Sequence, residues 1–127
     1  MKRNILVADD SPTIRKFLSF TLASRGFNII SAADGMEALE KLPTAKVDLI
    51  ITDINMPNVD GFEFIRSVRG NEEYKDVPII ILSSLGGEAE INQGITCGAN
   101  SYLIKPFNPN RVAYEVSKYI NWGLDGT

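Results

Sequence analysis

The sequence contains no histidine and a single cysteine, Cys97. Without histidine, the chain cannot assemble a Ser-His-Asp or Cys-His catalytic group, nor a histidine-ligated zinc site. Any phosphohistidine involved in its chemistry must therefore belong to another molecule. One cysteine excludes an internal disulfide and a thiolate metal cage, so we expect the chain to work in a reducing compartment, the cytoplasm.

Long apolar runs and an excess of basic charge are also missing. Every apolar run is too short to cross a bilayer, and the start of the chain lacks the apolar segment of a signal peptide. The net charge of −3 comes with no basic cluster, so we expect neither a nucleic acid nor a membrane as partner. With 127 residues, 44% of them hydrophobic and 23% charged, the chain suits one globular domain spanning residues 1–127.

Apolar segments with strand character alternate along the chain with segments of helical periodicity. We predict strands at residues 5–8, 27–32, 49–51, 78–82 and 101–104. Helix starts are indicated by the pairs Ser11-Pro12, Asp34-Gly35, Asp60-Gly61, Gly86-Gly87 and Asn108-Pro109. The last helix is predicted to end near Trp122, which we interpret, like Cys97, as a packing residue. Five such alternations predict an α/β fold, a doubly wound five-stranded parallel sheet with helices on both faces.

Polar residues interrupt this pattern just after the strands, where parallel strands share one edge of the sheet. They are Asp9, Asp10, Asp53, Ser83 and Lys105. If the strand order is 2-1-3-4-5, the first and third strands lie about 4.8 Å apart and bring three carboxylates together. Like charges this close raise one another's pKa unless a cation intervenes. Lys105 supplies only one positive charge, so the sequence implies a divalent ion, and a few protein oxygens completed by water suit Mg²⁺ better than Ca²⁺.

Such a site is suited to phosphoryl transfer. Asp53 could act as a nucleophile toward phosphorus and form an aspartyl phosphate. The metal ion and Lys105 would neutralise charge on the transferred group, and the Ser83 hydroxyl would donate a hydrogen bond to one of its oxygens.

The pattern resembles the receiver domain of bacterial response regulators, and in particular the stand-alone members that resemble chemotaxis regulators. The likeness extends over essentially the whole chain, from residue 5 to residue 120. It rests on six features in register with the strands: Asp9-Asp10, Asp53 with Met56-Pro57 and Gly61, Ser83, Tyr102 and Lys105-Pro106-Phe107. The resemblance implies the flavodoxin-like strand order 2-1-3-4-5.

The resemblance also implies a cofactor and a partner. Asp53 would accept phosphate from a histidine kinase or phosphotransfer protein and pass the signal to an unknown downstream protein. Asp10, Asp53 and the Asn55 carbonyl would bind Mg²⁺ directly, whereas Asp9 would act mostly through water. The chain would be a switch that supports only its own phosphorylation and dephosphorylation, and no other enzyme activity.

Several further roles follow from the resemblance alone. Ser83 and Tyr102 would form the switch pair, in which the hydroxyl moves toward the phosphoryl group and the aromatic ring turns inward. Serine stands where many relatives have threonine, which predicts looser switching. Lys105-Pro106 would be a cis peptide that aims the lysine inward, and Asn55 and Leu85 would tune the phosphate lifetime.

Simpler interpretations exist for each of these residues. Asp9 and Asp10 could simply cap a helix, Tyr102 could simply pack within a strand, and Ser83 or Lys105 alone would be unremarkable.

The alternative functions are a phosphatase of the haloacid dehalogenase type, a flavodoxin-like electron carrier, a pseudo-receiver and the excised N-terminal receiver of a larger regulator. The phosphatase family has Asp-x-Asp after its first strand and needs a cap domain. In an electron carrier, the two acids after the first strand would repel the flavin phosphate.

The fourth predicted helix, from Gly87 to about Thr96, follows a double glycine and contains Gly94 in its interior. Each interior glycine costs about 1 kcal/mol relative to alanine. We therefore predict that this helix is the easiest element to displace. Phosphorylation would be read out by its repositioning together with the fifth strand and the last helix, where a partner docks.

Overall fold

The chain folds into one parallel sheet covered by helices, described here for residues 2–120 from a computed structural model. The strand order is β2-β1-β3-β4-β5, which confirms the predicted fold class. The elements are β1 Asn4–Ala8, α1 Pro12–Ala23, β2 Asn28–Ala32, α2 Gly35–Lys41 with a 3₁₀ turn at Leu42–Thr44, β3 Leu49–Thr52, α3 Gly61–Arg69, β4 Ile79–Ser83, α4 Glu88–Cys97, β5 Ser101–Ile104 and α5 Pro109–Ser117. No helix within residues 2–120 is both long and apolar enough to span a bilayer.

Four helices begin at a side-chain cap, as their sequences predict. The side chain of the N-cap residue accepts a hydrogen bond from the backbone N–H three residues later at Ser11, Asp34, Asp60 and Asn108. α4 differs, because its N-cap is Gly87 and no side chain caps it. Its first turn therefore lacks a contact that stabilises the other four helices.

The core is divided by the sheet into two layers. Along β4, Ile79 and Ile81 face one layer, in which Phe64 of α3 is also buried. Ile80 and Leu82 face the other layer, which is covered by α1 and α5. Side chains alternate between the two faces of a strand. β3 and β4 are thus buried on both sides in the middle of the sheet.

The last helix is shorter than predicted. α5 ends at Ser117, and Trp122, where we expected its end, lies outside the described residues, as does the packing role predicted for that side chain. Beyond Ser117, the Lys118 N–H donates to the Glu115 carbonyl three residues earlier. The Tyr119 N–H likewise donates to the Val116 carbonyl, and these two 3₁₀-type bonds tighten the chain where α5 ends.

Gly61 lets the start of α3 lie directly against the backbone that follows β3. A β-carbon on Gly61 would lie 2.1 Å from the Asp53 carbonyl oxygen and 2.7 Å from the Ile54 Cα. The Gly61 N–H donates to the Ile54 carbonyl at 2.8 Å. Because no side chain fits between these two segments, the position of the Asp53 backbone depends on glycine here.

At the other end of α3, Arg69 ties three segments together at the amino-terminal edge of the sheet. Its guanidinium donates to the Gly98 carbonyl at 2.9 Å, the Val77 carbonyl at 2.7 Å and Asn100 Oδ1 at 3.0 Å. Nothing in the sequence pattern around Arg69 predicts this role, because these three partners lie 8 to 31 residues away along the chain.

We expect Gly61→Ala to lower the free energy of unfolding by about 1–3 kcal/mol, because the added methyl group has to displace backbone atoms rather than a flexible side chain. Urea unfolding measures this loss. Gly70→Ala is the matched control, since its β-carbon would come no closer than 3.3 Å to the Arg66 carbonyl oxygen. An equal effect of the two substitutions would contradict this explanation of Gly61.

Candidate functional site

The pairing of β1 with β3 brings two acidic residues side by side at the carboxyl-terminal edge of the sheet. Ala8 and Thr52 are register partners at the ends of these strands, and Asp9 and Asp53 follow them directly. The Asp53 N–H donates to the Ala8 carbonyl at 2.9 Å, which extends the ladder by one bond. The strand register therefore determines where these two carboxylates lie.

Asp10 completes a cluster of three carboxylates with Asp9 and Asp53. Each of these residues offers a carboxylate oxygen, and these oxygens lie within 4.8 Å of one another. Asp9 and Asp53 are buried, with 2% and 7% of their surface exposed, whereas Asp10 is exposed. The cluster is thus a small acidic pocket with one of its carboxylates open to solvent.

Lys105 places its ammonium group between the two buried carboxylates. Its Nζ lies 3.2 Å from Asp9 Oδ2 and 3.3 Å from Asp53 Oδ2. The residue follows β5, its N–H donates to the Ser83 carbonyl at 2.8 Å, and the Lys105-Pro106 peptide bond is cis, as the resemblance implies. One ammonium faces three carboxylates, so the pocket keeps an excess of negative charge.

The pKa of the Asp53 carboxyl is raised above its ordinary value, chiefly by burial. A hydrogen bond from the Ile54 N–H to Asp53 Oδ1, at 2.7 Å, opposes this shift. The negative charge of Asp9 raises the pKa further, and Lys105 lowers it. The sequence predicted repulsion between like charges as the cause of the shift, but the cost of removing the carboxylate from water is larger here.

Asp9 also contributes to the start of α1. Its Oδ1 accepts a hydrogen bond from the Ser11 N–H at 2.9 Å, while its Oδ2 faces Lys105. The simpler interpretation of Asp9, a residue that supports a helix start, is therefore compatible with its place in the acidic cluster. Both oxygens of Asp9 already have a donor.

Ser83 and Tyr102 meet at the loop that follows β4. Ser83 is fully buried, and its Oγ accepts a hydrogen bond from the Leu85 N–H at 3.1 Å. The Tyr102 hydroxyl donates to the Leu85 carbonyl. Burial raises the pKa of this hydroxyl, the adjacent Ser83 side chain lowers it, and the charges of Glu90 and Asp53 raise it further. Two polar side chains from neighbouring strands thus bind the same loop residue.

The loop between β3 and α3 is held by contacts that the sequence analysis missed. Asn58 has a positive φ of 69°, and its side-chain amide donates to Asp34 Oδ2 at 2.9 Å. Asparagine tolerates this conformation better than most residues, which is the signal that could have been used. Asn55, expected to offer its carbonyl to a metal ion, is exposed two residues after Asp53.

An apolar groove lies beside Lys105, between α1 and the segment after β5. Its walls include Ile14, Phe17 and Phe107, and the rings of the two phenylalanines are 5.7 Å apart. Lys105 forms part of the groove wall and also contacts Asp53. The groove is therefore adjacent to the acidic pocket, with Lys105 between them.

Comparison with known proteins agrees with this arrangement. Residues 5–117 match the family model described as the response regulator receiver domain. The chain is 39% identical over 107 residues to chemotaxis protein CheY1 of Helicobacter pylori, covering 83% of this chain and 86% of that protein.

Solved structures share the fold, and two of them illustrate the likeness. The chemotaxis protein CheY4 of Vibrio cholerae superposes with a TM-score of 0.89 at 38% identity, covering 94% of this chain and 100% of that one. The receiver domain of a sensor histidine kinase from Pseudomonas aeruginosa PAO1, with a magnesium ion coordinated in its active site cleft, gives a TM-score of 0.86 at 27% identity. It covers 94% of this chain and 98% of that chain. We conclude that the chain belongs to the receiver domain family of response regulators, whose members are phosphoacceptor switches of two-component signalling.

Proposed function

We propose that Asp53 is the phosphoacceptor and that it receives its phosphoryl group from a histidine kinase or phosphotransfer protein. The observation that carries this proposal is the position of Asp53, buried at the sheet edge with Lys105 at 3.3 Å and two further carboxylates beside it. In the transfer, a bond forms between an Asp53 carboxylate oxygen and phosphorus while the bond from phosphorus to the partner's imidazole nitrogen breaks. The Ile54 N–H and Lys105 hold the carboxylate in a fixed orientation for this step.

The residues of the acidic pocket suit Mg²⁺. Hard oxygen donors gathered around an excess of negative charge are the ligands that this ion prefers. Asp10, Asp53 and the Asn55 carbonyl would hold it directly, and Asp9, whose oxygens already accept hydrogen bonds, would act mostly through water. When bound, the ion supplies positive charge that neutralises the transferred phosphoryl group.

Lys105 and Ser83 are the chain's own groups for stabilising the transferred phosphoryl. The Lys105 ammonium already bridges two carboxylates of the pocket and can follow the charge as it moves onto phosphoryl oxygens. Ser83 is the last residue of β4, at the same edge of the sheet, and its hydroxyl would donate to one of these oxygens. If the Oγ turns toward the pocket to reach them, it would leave the Leu85 N–H, whose bond to Ser83 links the site to the loop that Tyr102 also binds.

We propose that this link is the switch. Leu85 is bound by both Ser83 and Tyr102, so a displaced Ser83 hydroxyl changes the loop that leads into α4. That helix has no side-chain cap and a single fully buried residue, which leaves it less firmly held than the capped helices. Ile95 of α4 and Ile104 of β5 are about half exposed, and we propose that the downstream partner docks on this surface formed with α5.

The phosphodonor would approach along the groove beside Lys105 and not on the surface of α4, β5 and α5. The groove between α1 and the segment after β5 is apolar and adjacent to the pocket through Lys105, so it could bind apolar side chains next to a phosphohistidine. The chemotaxis proteins among the relatives support a role in a chemotaxis pathway.

A single domain over residues 1–127, a cytoplasmic location and the lack of nucleic-acid and membrane partners stay predictions, as does the tuning of phosphate lifetime by Asn55 and Leu85.

We expect acetyl phosphate with Mg²⁺ to add one phosphoryl group to the wild-type chain and none to Asp53→Asn, measured by intact mass. Asp60→Asn is the matched control, since asparagine still caps α3 and the acceptor is untouched. A phosphoryl label on both the wild type and Asp53→Asn, or on neither, would overturn the assignment. Sustained turnover of small phosphate esters would instead favour the alternative of a phosphatase-like enzyme.

Magnesium binding tests the role of Asp10 as a metal ligand without requiring phosphorylation. We expect Asp10→Asn to weaken Mg²⁺ binding at least about 10-fold in calorimetry, because it removes one of the anionic oxygens of the pocket. Asp48→Asn removes a carboxylate at the other edge of the sheet, near the Asn4 backbone, and should leave binding unchanged. Equal affinities for wild type and Asp10→Asn would exclude Asp10 as a ligand.

Lys105→Met should slow labelling by acetyl phosphate roughly 10²-fold, because the charge that develops on the transferred group loses its ammonium partner. The label should still appear on Asp53 at long times. Lys118→Met, which removes a lysine paired with Glu115 on α5, is the control and should label at the wild-type rate. A wild-type rate for Lys105→Met would show that the ammonium takes no part in the transfer.

A further inference from the structure

Gly94 lies in the interior of α4 and is the one fully buried residue of that helix. Glycine destabilises a helix interior relative to alanine, because its backbone loses more conformational freedom on folding. The positive-φ glycines of the described chain are Gly26 and Gly98, so the backbone conformation does not require glycine at position 94. A requirement for space explains it instead.

Two side chains occupy the space that a larger residue would need. A β-carbon on Gly94 would lie 2.6 Å from the Ile81 Cδ1, and 3.2 and 3.4 Å from the Cδ2 and Cε2 atoms of the Tyr102 ring. Favourable contacts between carbon atoms lie near 3.5–4.0 Å. Ile81 and Tyr102 are register partners on β4 and β5. Ile81 is fully buried and has little room to withdraw, whereas the half-buried Tyr102 ring can move outward.

We infer that Gly94 is a positioning residue for Tyr102. Because α4 carries no side chain at this point, the ring can lie against the helix while its hydroxyl donates to the Leu85 carbonyl. A methyl group at position 94 pushes the ring away from α4 and so moves its hydroxyl relative to the Leu85 carbonyl. This steric claim concerns the unphosphorylated chain, and only its relevance to signalling rests on the proposed function.

The test is ¹⁹F NMR of the unphosphorylated chain labelled with 3-fluorotyrosine. The chain has four tyrosines, and the Tyr102 resonance is identified by its loss in Tyr102→Phe. In Gly94→Ala, we expect this resonance to shift, because the ring moves relative to α4 and to the Leu85 carbonyl. Gln93→Ala changes an exposed neighbour on the same helix and should leave the resonance in place.

A second variant separates the two contacts of position 94. Ile81→Val removes the Cδ1 atom that would lie 2.6 Å from the new β-carbon. We expect the Tyr102 resonance of Ile81→Val/Gly94→Ala to be displaced from that of Ile81→Val, since the ring contact persists. A wild-type Tyr102 resonance in Gly94→Ala, or no displacement in the double variant, would overturn the inference.

Thermal unfolding gives an independent measure that does not need the Tyr102 signal. With Ile81→Val and Tyr102→Ala present, the space beside α4 is open, and Gly94→Ala should raise Tm because alanine favours the helix. With Tyr102 and Ile81 intact, the same substitution should lower Tm. An equal change in both backgrounds would show that position 94 is not coupled to positions 81 and 102 and would contradict the inference.

The outcome for Gly94 is independent of the outcome for Asp53. A displaced Tyr102 resonance in a chain that takes no phosphate would support the steric role and overturn the proposed function. An unmoved resonance in a chain that labels at Asp53 would do the reverse.

Discussion

Two buried carboxylates share one ammonium group, and the functional end of the molecule depends on that arrangement. Asp9 and Asp53 are removed from water by the sheet edge, which is costly for charged groups, and Lys105 contacts both. Each of the three residues follows a different strand, so the contact requires the strand order β2-β1-β3-β4-β5. A single positive charge cannot balance three acids. The pocket is thereby stable enough to fold and still attractive to a divalent cation and, with it, to a phosphoryl group.

The parts of this fold that the sequence predicts are those with strong local signals. Buried strands show as β-branched runs, and the helix starts show as capping residues, so the sheet and the acidic edge follow directly. Interactions that depend on distant residues are not predictable in this way. Arg69 contacts carbonyls up to 29 residues away, and the dominance of burial over repulsion in the pKa of Asp53 follows from tertiary packing. The end of α5 at Ser117 coincides with two 3₁₀-type bonds rather than with a sequence signal.

Gly94 shows how one residue supports two different interpretations. From sequence it indicates a helix with low intrinsic stability, and that statement holds for any interior glycine. The structure adds that the absent side chain makes room for the ring of a residue on β5. Low helix stability and close packing against Tyr102 then have the same origin, because a side chain that strengthened α4 would also displace its neighbour.

The contacts of Arg69 also determine how α4 can move. The guanidinium holds the Gly98 carbonyl at the carboxyl end of this helix, while Gly87 leaves its amino end without a side-chain bond. A helix that is held at its carboxyl end and not at its amino end can rotate about the held end. Displacement of α4 would therefore be smallest at Gly98, beside Arg69, and largest at its amino end, which lies near Leu85 and the edge of the sheet that carries Asp53.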